Sequence, residues 1–232
     1  MKRSNESEMM DAPDQPVALL IDDLRNLRII NAYLGNYRNV LRGLKRLVGV
    51  QKKFSLLDVG TGSADIPATI ARWARRQRIG AHISGLEPNS VSLGQAAEQT
   101  REFPEISLLR ADGMTLPFQP HSFDFVLASQ LLHHYSEENI VGFLRSWAQV
   151  ARQGIIVSDL IRHPLAYYSI HLLTRLFTRN VMTRTDGPLS VRRGLTMAEW
   201  RQLFRQAGVG SCEVHWAFPF RVLALISLRA ST

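Results

Sequence analysis

Apolar residues recur in steps of three and four at Val17, Leu20, Leu24, Leu27, Ile30, Leu34, Tyr37, Leu41, Leu44 and Val48. That single stripe predicts helix over Pro16 to Val48, split in two at Gly35-Asn36. Such a stripe suits a cover over a sheet edge, a cap over an active site, or a dimer surface. The pattern then changes. Short apolar runs at Phe54–Val59, Ala81–Glu87, Ile106–Arg110, Phe123–Ser129 and Gly154–Ser158 read as strands. Amphipathic segments at Asp65–Arg78, Ser90–Glu102 and Ser136–Val150 read as helices between them. Strand–helix alternation at this spacing predicts a parallel sheet wound on both faces. Thr196, with Glu199 three residues on, starts a further helix by a capping box. Glu213–Ala217 and Arg221–Leu228 read as a closing antiparallel pair, with Phe218-Pro219 at the turn. Between the fifth strand and the last helix, residues 161–195 form an insertion. In its first part, Leu165, Tyr168, Leu172 and Leu176 fall on one helical face. Thr183–Leu195 carries Asp186-Gly187-Pro188 and Arg192-Arg193-Gly194 and reads as loop.

Composition narrows the class. A chain of 232 residues, 45% of them apolar, suits one α/β domain over residues 16–232. Residues 16–50 would form a helical cap and 161–195 a lid. Residues 1–15 are polar with scattered charge, so they are expected to be mobile, and they lack the apolar core of a signal peptide. No run reaches the roughly 20 apolar residues of a membrane-spanning helix. Cys212 is the single cysteine, which excludes an internal disulfide and a cysteine-based metal site, and no metal is expected. A cytoplasmic location fits this cysteine usage. The net charge is +8. Between residues 152 and 205, Arg152, Arg162, Arg175, Arg179, Arg184, Arg192, Arg193, Arg201 and Arg205 outnumber Asp159, Asp186 and Glu199. That excess would attract an anionic substrate, a carrier protein, an anionic membrane or RNA, or would simply be solvated surface.

The candidate chemistry begins where the first strand ends, in Leu56-Leu57-Asp58-Val59-Gly60-Thr61-Gly62-Ser63-Ala64-Asp65-Ile66. Two glycines one residue apart, between a strand and a helix, let a ligand approach the backbone at a helix start. A dinucleotide fingerprint would need a third glycine where Asp65 stands, and an acid there would face a pyrophosphate. At the end of the fourth strand the chain reads Ser129-Gln130-Leu131-Leu132-His133-His134-Tyr135. Histidine titrates near neutrality and suits removal of a proton from a phenol.

The ordered set of Asp58-Val59-Gly60-Thr61-Gly62, Gly85-Leu86-Glu87-Pro88-Asn89, Ala111-Asp112-Gly113-Met114 and Phe123–Ala128 resembles the class I S-adenosylmethionine (SAM) dependent methyltransferases. The resemblance covers residues 54–160. It implies a Rossmann-like, doubly wound seven-stranded sheet, mostly parallel with an antiparallel terminal strand, and SAM as cofactor. It implies that Glu87 holds the ribose diol and that Asp112 meets the adenine amino group, with Met114 against the ring. Asp58 would order the glycine loop and reach the methionyl ammonium. Pro88, Gly113 and Ser129 complete the implied cofactor set. Ala64 departs from the family pattern, which has glycine there.

Leu132-His133-His134 is similar to the ubiquinone/menaquinone-biosynthesis type. Asp186–Thr196 and Phe218-Pro219-Phe220-Arg221 are similar to methyltransferases found with bacterial type III polyketide synthases. These likenesses imply a small aromatic, quinol or polyketide-derived acceptor, methylated at a hydroxyl. His133 and His134 are the candidate bases, with His133 expected nearer the cofactor. Arg192, Arg193, His163 and Tyr168 are candidate acceptor contacts. The alternatives are an RNA methyltransferase using the basic insertion and a non-catalytic SAM-binding subunit. The Asn/Asp-Pro-Pro-Tyr/Phe segment of amino-group methyltransferases is missing at His133-His134. No DNA partner is expected, and a homodimer fits the helical stripe.

Overall fold

Leu56, Leu57, Val126, Leu127, Ile155, Ile156 and Val157 are fully buried, as strands covered on both faces must be. The computed structural model describes residues 1–12 and 14–228. In chain order its main elements are α1 (Val17–Tyr33), α2 (Asn36–Val48), β1 (Lys53–Val59), α3 (Asp65–Gln77), β2 (Gly80–Leu86), α4 (Ser90–Thr100), β3 (Ile106–Leu109), β4 (Phe123–Ser129), α5 (Glu137–Val150), β5 (Ala151–Leu160), α6 (Pro164–Phe177), α7 (Val181–Arg193), α8 (Met197–Ala207), β6 (Ser211–Ala217) and β7 (Arg221–Ser227). They form one sheet in the order β3-β2-β1-β4-β5-β7-β6. All pairs are parallel except β5–β7 and β6–β7.

Two apolar layers sandwich this sheet. One gathers Trp147, Trp200, Phe204 and Leu132; the other gathers Leu44, Ile70, Phe125 and Leu225. Gly35, at φ 74°, supplies the left-handed residue that ends α1 and lets α2 begin. Side chains of Asn89, Ser136, Asn180 and Thr196 accept amide hydrogen bonds at the starts of α4, α5, α7 and α8. Among the described residues no helix is long and apolar enough to cross a membrane.

The register fixes the site. Asp58 lies beside Gly85 of β2 and Leu127 of β4, and Ser129 beside Ser158 of β5. The carboxyl ends of β1, β2, β4 and β5 therefore share one rim. The chain order reverses between β1 and β4, and ligands of open α/β sheets bind at that crevice.

Three expectations are corrected. Residues 1–12 are held rather than mobile. The amides of Met9 and Met10 each donate to a carboxylate oxygen of Asp186 at 2.9 Å, and Arg3 donates to the carbonyls of Arg193 and Tyr135 at 2.8 Å. Polarity alone misleads here, because the segment's charges find partners inside the fold.

Thr183–Arg193 is helix, not loop, and only Gly194 and Leu195 lie outside it. Burial of Met182, Leu189 and Val191 overrides the Asp-Gly-Pro turn signal, and Gly187 lets Thr174 and Ile170 pack close. Finally, the Leu165, Tyr168, Leu172 and Leu176 face of α6 points to solvent, 58–68% exposed. The opposite face, with Ile170, Leu173 and Phe177, walls an apolar cavity of about 490 Å³ against Ile29, Ile30 and Leu34 of α1.

Candidate active site

A cavity of about 400 Å³ opens at the β1–β4 crevice. Its walls include Gly60, Gly62, Glu87, Pro88, Asp112, Gly113 and Leu131, with Tyr135, Phe143 and Trp147 as an aromatic side. Met10 and Asp11 close it from the N-terminal segment. A second cavity of about 120 Å³ adjoins it through Met10, Gly60, Gly62, Gln130 and His134. Leu24, Leu27, Asp58, Ser129 and His133 also line this smaller space.

The glycine turn depends on backbone freedom. Gly60 and Gly62 take φ 69° and 55°. A Cβ on Gly62 would meet no atom within 4 Å and would project into open space. Ala64 also adopts a left-handed φ of 56°, so alanine fills the missing glycine's role at some steric cost. Glu87 is braced by two amides: Oε2 accepts from Gly62 and Oε1 from Asn89, both at 2.9 Å. Burial raises its pKa against those two bonds. Each oxygen keeps a further acceptor position. Asp58 is buried and accepts the Thr61 hydroxyl at 2.6 Å. Burial pushes its carboxyl up to about 7, aided by Asp65 and Glu87 and opposed by Thr61.

The two adjoining cavities together fit SAM on three counts. Glu87 offers two braced acceptors for a diol, Asp58 a buried acid for an ammonium, and the aromatic wall lies beside Asp112 and Gly113. Met114, by contrast, is half exposed and is absent from the cavity wall. Ser129 serves the smaller cavity, where its hydroxyl bonds to Asn36.

The opposite pole is built from imidazoles and carboxylates. Leu132–His134 form one 3-10 turn directly after β4. His133 is buried, and its Nδ1 lies 2.6 Å from Asp159 Oδ1. Its Nε2 lies 3.6 Å from Glu8 Oε1. Burial alone would depress this imidazole, but Asp159 and Glu8 outweigh it and push the pKa up to about 10. Asp159 and Glu8 thus favour the charged imidazole, so His133 is not poised as a free base. His134 borders both cavities, contrary to the expectation that His133 is the nearer residue. Its Nδ1 is held by Asp11 Oδ2 at 2.8 Å.

The four expected acceptor contacts lie elsewhere. Arg193 is buried and spends its guanidinium on the carbonyls of His133, His134 and Glu6. The carbonyl of Arg192 pairs with the Ser4 amide. His163 caps α6 and stacks on Phe220, and Tyr168 is exposed. None of the four lines either cavity.

Glu8, Asp11 and Asp159 escaped the sequence reading, the first two because they sit in a polar leader with no periodicity. Gln130 escaped it too. It takes φ 54° at the strand end and bonds Asn31 and Arg221, joining α1 to β7.

Residues 56–154 match the family model of a methyltransferase domain. The demethylmenaquinone methyltransferase of Bacillus pumilus is 25% identical over 184 residues, covering 73% of this chain and 76% of that protein. A SAM-dependent methyltransferase structure from Aquifex aeolicus superposes with TM-score 0.67 at 15% identity, covering 90% of this chain and 98% of that one. Human N-acetylserotonin methyltransferase in complex with SAM gives TM-score 0.65 at 17% identity, covering 91% and 56%.

The chain carries a methyltransferase domain and is a SAM-dependent methyltransferase.

Its cofactor is SAM, and the methyltransferase resembles the quinone-type members. When bound, SAM supplies an electrophilic methyl group on a sulfonium. The methyltransferase's own task is to align an acceptor, exclude water and take up the acceptor's proton.

Proposed function

We propose that this methyltransferase acts on a small aromatic, quinol or polyketide-derived acceptor at a hydroxyl oxygen. The observation that carries the reading is the direct junction of the two cavities. The larger holds Glu87, Asp112 and Gly113, while Asp58 lines the smaller. The smaller has apolar walls at Leu24, Leu27 and Ile66 and ends on Glu8, His133 and His134. An aromatic ring suits the apolar walls, and its hydroxyl would meet the polar end, where the proton leaves. Positioning supplies much of the rate in such a site, and proton removal typically adds roughly 10²–10⁴-fold. The demethylmenaquinone named for the Bacillus relative belongs to the same broad acceptor class.

The basic insertion gives little support to an RNA substrate. Arg162 is buried on Glu199 and the carbonyls of Met1 and Gly194, and Arg193 is buried on three carbonyls. Arg184 donates to the carbonyls of Thr178 and Arg175. These cations hold the fold together rather than face a phosphate backbone. Residues 16–48 and 161–195 serve, in this reading, as the cover that shields the acceptor. Turnover of SAM on a panel of alkylresorcinols and quinols, with product mass measured, tests the assignment. Methylation of structured RNA with none of the panel would contradict it.

A further inference from the structure

Glu8, His133 and His134 meet at the closed end of the smaller cavity, and their geometry asks for a shared occupant. Each imidazole uses Nδ1 on a carboxylate: His133 on Asp159 at 2.6 Å, and His134 on Asp11 at 2.8 Å. Both Nε2 atoms are left facing Glu8, at 3.6 Å from Oε1 and 3.9 Å from Oε2. These distances exceed hydrogen-bond range. Glu8 is nearly fully buried, yet its Oε1 has no hydrogen-bond partner. Leaving a carboxylate oxygen buried and unbonded is costly, and such an atom calls for a missing partner.

Arg193 does not fill that role. Its Nε lies 3.7 Å from Glu8 Oε1, while its donors go to the carbonyls of His133, His134 and Glu6. Two bonds of about 2.1 Å from one tetrahedral ion set their donor atoms roughly 3.4 Å apart. The two imidazole–carboxylate gaps, 3.6 and 3.9 Å, lie close to that spacing, and all three ligand atoms fall within 4.8 Å of one another.

We propose that Glu8, His133 and His134 form a mononuclear site for a divalent transition-metal cation of the zinc or ferrous-iron class. Two imidazoles and one carboxylate are the ligand set that such ions take, with open positions left for water or substrate. Asp159 and Asp11 fill the orienting role that carboxylates play behind metal-bound histidines, fixing each Nδ1 as the protonated nitrogen. All three side chains line the smaller cavity, so in the proposed function a hydroxyl oxygen of the acceptor would reach the ion. Only this last point rests on the proposed function; the ion site stands on the side chains themselves. Glu8 lies far from the histidines in the chain and joins them only in the fold, so no local motif marks the site.

The test uses tag-free, full-length protein stripped with a chelator and then titrated with Zn²⁺ and with Co²⁺. One ion per chain is expected. Binding should weaken at least 10-fold in Glu8→Gln and in His134→Gln, and 10–100-fold in Asp159→Asn. Zn²⁺ should raise the melting temperature of the wild type and not that of Glu8→Gln. The unaltered protein loaded with Co²⁺ should show two imidazoles ligated through Nε2 by paramagnetic NMR, a readout that needs no variant to fold. No bound ion, binding unchanged in the variants, or a Co²⁺ form without two imidazoles would overturn the assignment. Absence of turnover on the phenolic panel would leave the ion titration unaffected, so the two readings fail separately.

Discussion

One carboxylate oxygen of Glu87 accepts the amide of Gly62 at 2.9 Å. The bond ties the end of β2 to the glycine turn after β1. Because Asn89 holds the other oxygen, the acid is fixed before any ligand arrives. Glu87→Ala should weaken S-adenosylhomocysteine binding by about 1.5–3 kcal/mol, the range for hydrogen bonds to a charged group. Isothermal titration measures this directly. An unchanged dissociation constant would place the ribose contact elsewhere.

Asp58 gives the cofactor site a pH dependence with a definite sign. Its pKa of about 7 leaves it partly protonated at neutrality. A bound ammonium favours the ionised form, so binding must displace that proton. SAM affinity should therefore rise as pH goes from 6 to 8 and level off above. Asp58→Asn should bind more weakly and flatten the profile. A wild-type affinity that falls over this interval would contradict the role given to Asp58.

Asp23 sets a second pH effect, on stability. It is buried on the Thr183 hydroxyl at 2.5 Å, and burial pushes its pKa up to about 6 despite that bond. The folded state thus holds this proton more tightly than the unfolded chain does. The resulting cost is absent below the unfolded pKa near 4, grows as pH rises, and is complete above about 6. Asp23→Asn keeps an acceptor for Thr183 and removes the charge. It should stabilise the protein by about 1–3 kcal/mol at pH 8 and by little at pH 4. Denaturant melts at both pH values decide this. Equal effects at the two would show that charge is not the cause.

His134 borders both cavities, and as the base of the ion-free protein its replacement in His134→Gln should lower turnover at pH 7 by roughly 10²–10⁴-fold. S-adenosylhomocysteine binding should be unchanged. The residual rate should rise with pH as a phenolic acceptor, with pKa near 10, ionises unaided. Full activity at pH 7 would mean that His134 is structural.

The sheet, its order of elements and the glycine turn at its rim were legible because they are local signals. Apolar runs, the Gly60–Gly62 turn and the acid after each strand lie within short windows of sequence. The pole around His133 was not legible. Its partners come from two distant places: Glu8 and Asp11 from the N-terminal segment, brought in by its packing onto Asp186, and Asp159 from β5. The amphipathic stripe of α6 misled for a related reason. Periodicity identifies faces but does not say which one is covered, and in α6 the buried side is the one bearing Ile170, Leu173 and Thr174. Helix α7 formed across Asp186-Gly187-Pro188 because tertiary burial outweighed local turn preference.

The most direct measurement follows the methyl group itself. Purified protein is incubated with SAM carrying a ¹³C-labelled methyl and with the alkylresorcinol and quinol panel, and the product is examined by NMR. The account predicts a labelled methyl attached to an aromatic oxygen, formed only with the protein and abolished by Glu87→Ala at limiting SAM. Label on a ring carbon, or turnover with RNA in place of the panel, would contradict it.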